Sequence, residues 1–125
     1  MGATASQVLV AGLFFLLVFL SGAWLSRSGR PLNTIRLTVH KLISLATAAF
    51  LIVTVHRINQ SAGLSANEQA AVAITGLLLL GTVATGGLLS TGKTTPTVVL
   101  RLHQVTPFLT VLATAVMLYL LSSTG

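Results

Sequence analysis

Two histidines, His40 and His103, stand inside separate apolar stretches that carry almost no other charge. An ionisable side chain within a bilayer span costs free energy that ordinary packing does not return. By default it marks a place where something is bound, carried or protonated. Imidazole is also a ready ligand for haem iron, and a pair of imidazoles at one depth is the arrangement a bis-histidine haem demands. What such a pair can do depends on the elements that carry it.

Those elements follow from composition. The chain is 54% hydrophobic and 6% charged, with a mean hydropathy of +0.95, whereas soluble domains carry roughly 25% charged residues. Four apolar runs, Val8 to Leu25, Ile35 to His56, Ala66 to Leu89 and Val98 to Leu121, meet the requirement of about 20 residues for a bilayer-crossing helix. The expected architecture is all-α: one integral membrane domain over residues 1–125, a four-transmembrane-helix up-down bundle. Helices apolar all round would leave large exposed patches in water, which excludes a soluble core. Barrel strands would be about ten residues long and alternate in polarity, and these runs do neither.

Charge sets the expected topology. Arg27, Arg30, Arg36 and Lys41 surround the first connection, Arg57 stands at the second, and Lys93 and Arg101 flank the third. The positive-inside rule places the first and third loops in the cytoplasm and both termini outside, in what reads as a bacterial inner-membrane protein. Positive charge follows the first span rather than preceding it, the wrong order for a cleaved signal. The net charge of +6 and pI near 11.8 then meet anionic lipid headgroups. No nucleic-acid-binding module accompanies them. With no cysteine, structural disulfides, cysteine-ligated iron–sulfur clusters and covalent c-type haem attachment are excluded.

Helix caps give depth. Asn33, after Pro31, suits an N-cap for the second span, and Thr95 before Pro96 reads as an N-cap with proline at the first helical position of the fourth. His40 lies seven residues past Asn33 and His103 eight past Thr95. Both are therefore roughly 10 to 12 Å along their helices. Spans two and four run in the same direction in an up-down bundle, so the imidazoles are expected level, in the cytoplasmic leaflet.

On the face of His40 lie Arg36, one turn toward the cytoplasm, and Ser44 and Thr47 toward the membrane centre. Arg36 either pairs with a haem propionate or marks the interface and snorkels to headgroups. Arg101, two residues before His103, points to nearly the opposite face and is the poorer propionate candidate. Pro107 cannot donate a backbone N–H toward His103. It either bends the helix to make room for a planar cofactor or is one of the prolines that membrane helices tolerate. Gly12, Gly22, Gly76, Gly81, Gly86 and Gly87 allow close helix approach or a flat ligand against backbone. Ser65 and Glu68 make a capping box, a structural role for the only acidic side chain.

The third histidine, His56, lies beside Arg57 at the outer end of span two. It is sixteen residues from His40, about 160° around the helix, where two ligands on one face need a spacing of about fourteen. A second site from His56 and Met117 can be drawn, but the orientation of His56 makes it an interfacial histidine instead.

Three look-alike motifs fail on context. Gly87 to Thr94 fits the phosphate-binding loop pattern but leaves a membrane helix, and the chain has no aspartate for magnesium, so no nucleotide is expected. Met1 to Ser6 fits the myristoylation pattern on a terminus placed outside the cytoplasm. Asn59-Gln60-Ser61 fits the glycosylation acceptor but lies too near the membrane.

Arg36-Leu-Thr-Val-His40-Lys41-Leu-Ile, Thr85-Gly86-Gly87-Leu88-Leu89-Ser90 and Leu102-His103-Gln-Val-Thr-Pro107 with the apolar run after it together resemble small prokaryotic four-helix membrane proteins of the cytochrome b type. The resemblance covers most of the chain through short, apolar motifs. It implies one non-covalent b-type haem with His40 and His103 as axial ligands. Larger b561-type cytochromes carry four ligands for two haems.

The expected function is electron transfer within a redox or respiratory assembly, with other membrane subunits or a quinone as partners. Paired carboxylates, cysteine and an acid to orient a histidine base are all missing, so no bond-making chemistry is expected. Two other readings fit the same residues. One is a non-redox accessory subunit whose histidines bond to a larger complex. The other is a proton-conducting or solute-conducting element, which would need a polar path across the whole span.

Overall fold

The computed structural model describes residues 3–29, 31–91 and 94–122. They form four helices, α1 (Ala5–Ser26), α2 (Thr34–Ala62), α3 (Ala66–Leu89) and α4 (Thr97–Ser122), and no strand among the described residues. Their lengths of 22, 29, 24 and 26 residues reach or exceed the ~30 Å hydrocarbon core at about 1.5 Å per residue. Their outer faces are apolar: Leu9 is 69% exposed, Leu77 70% and Leu112 64%. Such surface is stable against lipid and not against water. The chain is an integral membrane protein.

The helix ends follow local chemistry. Thr4 and Gln7 form a capping box on α1, and the expected box of Ser65 and Glu68 opens α3, with Glu68 buried. Asn33 Oδ1 accepts from the Arg36 N–H at 3.1 Å, as its N-cap role requires. α4 begins at Thr97, so Pro96 precedes the helix instead of being its first residue behind a Thr95 cap, and the first turn is closed by the Val99 N–H bonding the Pro96 carbonyl at 3.0 Å. α2 runs past His56 to Ala62 because nothing before Gly63 ends it. Gly63 adopts φ 70° and its N–H bonds the Asn59 carbonyl at 2.9 Å, a left-handed stop that glycine makes without steric cost. The Asn59-Gln60-Ser61 tripeptide is thus helical. Ser65→Ala should destabilise the protein by about 0.5–2 kcal/mol in a denaturant titration in micelles, and Ser65→Asn should recover most of the loss.

The chain forms two compact units, residues 4–54 and residues 1–3 with 55–125. In the first, α1 runs antiparallel to α2: the Phe14 and Phe50 rings are 5.4 Å apart, while Trp24 meets Arg36 near the other end. In the second, α3 runs antiparallel to α4, with Thr85 against His103 at one end. Asn67 and Ala70 share a groove with Leu112 and Val116 at the other.

The two hairpins repeat one pattern. Along α2, Thr47, Leu51, Thr54 and Ile58 are buried; along α4, at one constant offset, so are Thr110, Thr114, Met117 and Leu121. The same offset carries Thr34 onto Thr97, Leu37 onto Leu100 and His40 onto His103. An offset one residue longer carries α1 onto α3, matching Gly12 with Gly76, Leu16 with Leu80, Ser21 with Thr85, Gly22 with Gly86 and Leu25 with Leu89. The alternating three- and four-residue spacing from His40 to Ile58, and from His103 to Leu121, is the inward seam of a packed helix.

Candidate functional site

His40 and His103 are each the seventh residue of their helix, so the equal depth expected from the caps holds within each helix. Each lies at the head of its buried seam and is itself partly buried. What surrounds the two rings is also equivalent.

His40 meets the α1 face carrying Ser21 and Gly22. Ser21 Oγ is 2.9 Å from Nδ1, and a Cβ added to Gly22 would stand 3.1 Å from Cε1. His103 meets the matching α3 face. Thr85 Oγ1 and the Thr82 carbonyl are each 3.1 Å from Nδ1, and a Cβ on Gly86 would stand 2.8 Å from Cε1. In both hairpins a hydroxyl residue binds the ring and the following glycine lets it lie against helix backbone. Gly12, Gly76, Gly81 and Gly87 have nothing within 4 Å of such a Cβ. Only Gly22 and Gly86 of the six singled out in the sequence serve the histidines.

The carbonyls of the two histidines are also marked. Ser44 Oγ donates to the His40 carbonyl at 2.8 Å. At the equivalent place in α4 stands Pro107, which cannot supply the backbone N–H that a helix directs there.

The other candidates are placed as follows. Arg36 donates from Nη1 to the Trp24 carbonyl at 2.9 Å and lies 5.0 Å from the centre of the Trp24 ring. It thereby ties the start of α2 to the last turn of α1, where a cation meets the negative end of the helix. Its remaining N–H groups are compatible with an anionic partner. Arg101 is exposed, on the face of α4 away from His103. His56 is also exposed, while Met117 is 1% exposed on the α4 seam and matches Thr54, not His56. Arg30 and Lys93, part of the topological charge, lie outside the described residues, as do Met1, Gly2 and Gly92 of the look-alike motifs.

α3 and α4 also leave an open apolar groove of about 480 Å³ lined by Asn67, Ala70, Ala71, Ile74, Leu78, Leu109, Leu112, Ala113 and Val116. Leu78 and Ala113 stand where the first hairpin has its Phe14 and Phe50 pair. The missing ring volume opens the groove.

Ser21 and Thr82 carry no motif of their own in the sequence, and Thr85 stands there only within the Thr85 to Ser90 segment. The signal was present in the repeated Ser21-Gly22 and Thr85-Gly86 pairs. Comparison with family models, curated proteins and solved structures finds no match for this chain.

Proposed function

We propose that this protein is a membrane-embedded b-type cytochrome that transfers electrons within a redox or respiratory assembly, with His40 and His103 as the axial ligands of one non-covalent haem. The observation that carries the reading is the equivalence of the two half-sites. Each hairpin holds a histidine at the seventh position of its second helix, with Nδ1 engaged by the first helix and the ring seated on glycine. A group that takes two imidazole ligands calls for two such settings.

The donor set fits haem better than a bare metal ion. The chain offers three histidines, one acidic residue and no cysteine, and Glu68 is committed to the cap of α3. A structural or catalytic zinc site draws on three or four protein ligands, whereas a bis-histidine haem asks for two. When bound, the haem supplies a one-electron carrier whose potential is set by its axial ligands, hydrogen bonding and burial. The protein's share is to orient two imidazoles and exclude water from them. Arg36 is the residue to meet a propionate, and Arg101, exposed on the far face, is the weaker candidate.

The loop charges orient the protein with the α1–α2 and α3–α4 connections in the cytoplasm of a bacterial inner membrane and both termini outside. On that orientation the histidines lie in the cytoplasmic leaflet. A quinone, which shares the bilayer, is a suitable redox partner.

The test is a reduced-minus-oxidised visible spectrum of the purified protein after expression with sufficient haem. A low-spin b-type band with a stoichiometry of one haem per chain is the expected result. No band under those conditions overturns the cytochrome reading and leaves the accessory-subunit alternative.

A further inference from the structure

We infer that Ser21 on α1 and the Thr82–Thr85 turn of α3 are positioning residues that hold His40 and His103 as Nδ1–H tautomers, making Nε2 the coordinating nitrogen of each. What Nε2 coordinates rests on the haem reading; the tautomer does not.

A neutral imidazole has one N–H and one lone-pair nitrogen, and its hydrogen-bond partners decide which is which. At His103 the assignment follows from acceptor chemistry. The Thr82 carbonyl, 3.1 Å from Nδ1, has no proton to give, so Nδ1 carries the hydrogen. Thr85 does not oppose this. Its single hydroxyl proton is directed at the Gly81 carbonyl at 2.9 Å or the Thr82 carbonyl at 3.0 Å, which turns an oxygen lone pair toward Nδ1.

At His40 the same logic runs through Ser21. Its Oγ lies 3.0 Å from the Val18 carbonyl, the back-bond common for serine in helices; with its one proton given to that carbonyl, Oγ accepts from Nδ1–H at 2.9 Å. At Gly22 and Gly86 the missing Cβ leaves the room that the Cε1 edge of each ring takes. Both lone pairs are thus assigned to Nε2 before any ligand arrives. Such outer partners orient metal-binding histidines and make them more basic.

The half-sites are equivalent but unequal. His103 Nδ1 meets a peptide carbonyl and a hydroxyl, whereas His40 Nδ1 meets the Ser21 hydroxyl. Thr85→Ala therefore keeps the carbonyl acceptor of His103 Nδ1–H, whereas Ser21→Ala removes the hydroxyl acceptor of His40 Nδ1–H.

The experiment is nitrogen NMR of the full chain, labelled with 15N-histidine, in micelles at pH 8.5. It is run without haem, with exposed His56 as the solvated reference. In the wild type, His40 and His103 should each show a protonated Nδ1 and an unprotonated Nε2. Ser21→Ala should shift His40 alone toward the other tautomer, Ser21→Thr should restore it, and Thr85→Ala should leave His103 as it was. A majority Nε2–H form at either histidine in the wild type overturns the inference, as does a His40 tautomer unchanged in a folded Ser21→Ala variant. A second arm titrates haem into the same proteins, where Ser21→Ala should weaken binding by roughly 10–100-fold and Ser21→Thr recover it. If the wild type takes up no haem while the tautomers are as stated, the cytochrome reading fails and the positioning role stands.

Discussion

Replacing either His40 or His103 with alanine should abolish the low-spin b-type spectrum of the haem-loaded protein. Removing an axial ligand takes away the iron–nitrogen bond itself, so the loss should exceed the roughly 10–100-fold that follows removal of an outer partner. The two variants should fail alike, because the histidines occupy equivalent positions on equivalent seams. His56→Ala should leave the band unchanged, since His56 is exposed and off the seam. A His103→Gly variant supplied with free imidazole should recover a low-spin band, which separates a ligand role from a packing role. Normal low-spin haem in either alanine variant would sink the ligand assignment.

Gly86→Ala should destabilise the second hairpin by about 1–3 kcal/mol, the usual cost of overpacking a closely fitted contact. The added Cβ would stand 2.8 Å from His103 Cε1, a distance at which something must move. The ring cannot yield freely, because Nδ1 is bonded to the Thr82 carbonyl and Thr85. Gly22→Ala, with its Cβ 3.1 Å from His40 Cε1, should cost less. At Gly76, where a Cβ meets nothing within 4 Å, alanine should be neutral or stabilising by up to about 1 kcal/mol, as glycine within a helix is a poor helix former. Chemical denaturation of the three variants in one detergent, with His103 ring shifts as a local readout, ranks them. An unchanged Gly86→Ala protein would show that the ring moves aside without loss.

Much of the architecture was legible because apolar run length is a direct physical demand of the bilayer. The four runs from Val8, Ile35, Ala66 and Val98 each became a helix, and the Ser65 and Glu68 signature became the cap it resembled. Apolar run and helix differ most at the end of α2. Hydropathy falls at His56, yet helical propensity does not, and the helix continues to the first residue that stops it, Gly63. Hydropathy reports where lipid ends; only a terminator reports where a helix ends.

The repeat was also written in the chain but hard to read there. Aligning Gly22 with Gly86 and His40 with His103 needs two offsets that differ by one residue, so no single period brings every pair into line. The match is also carried by glycine, threonine and leucine, which are common in membrane spans. Burial made the pattern plain, because the seam residues Thr47 to Ile58 and Thr110 to Leu121 are occluded at the same steps.

Composition and residue order were sufficient for four spans, for the depth of two histidines along them, and for the exclusion of thiol chemistry. Each depends on local chain properties: transfer to lipid, helical rise, and the presence or absence of a side chain. Which glycines touch a ring, that Arg36 engages Trp24 rather than standing alone at the interface, and that Nδ1 of each histidine is already committed depended on folding. Those facts arise where one helix meets another, at distances of about 3 Å that no spacing along a single helix contains.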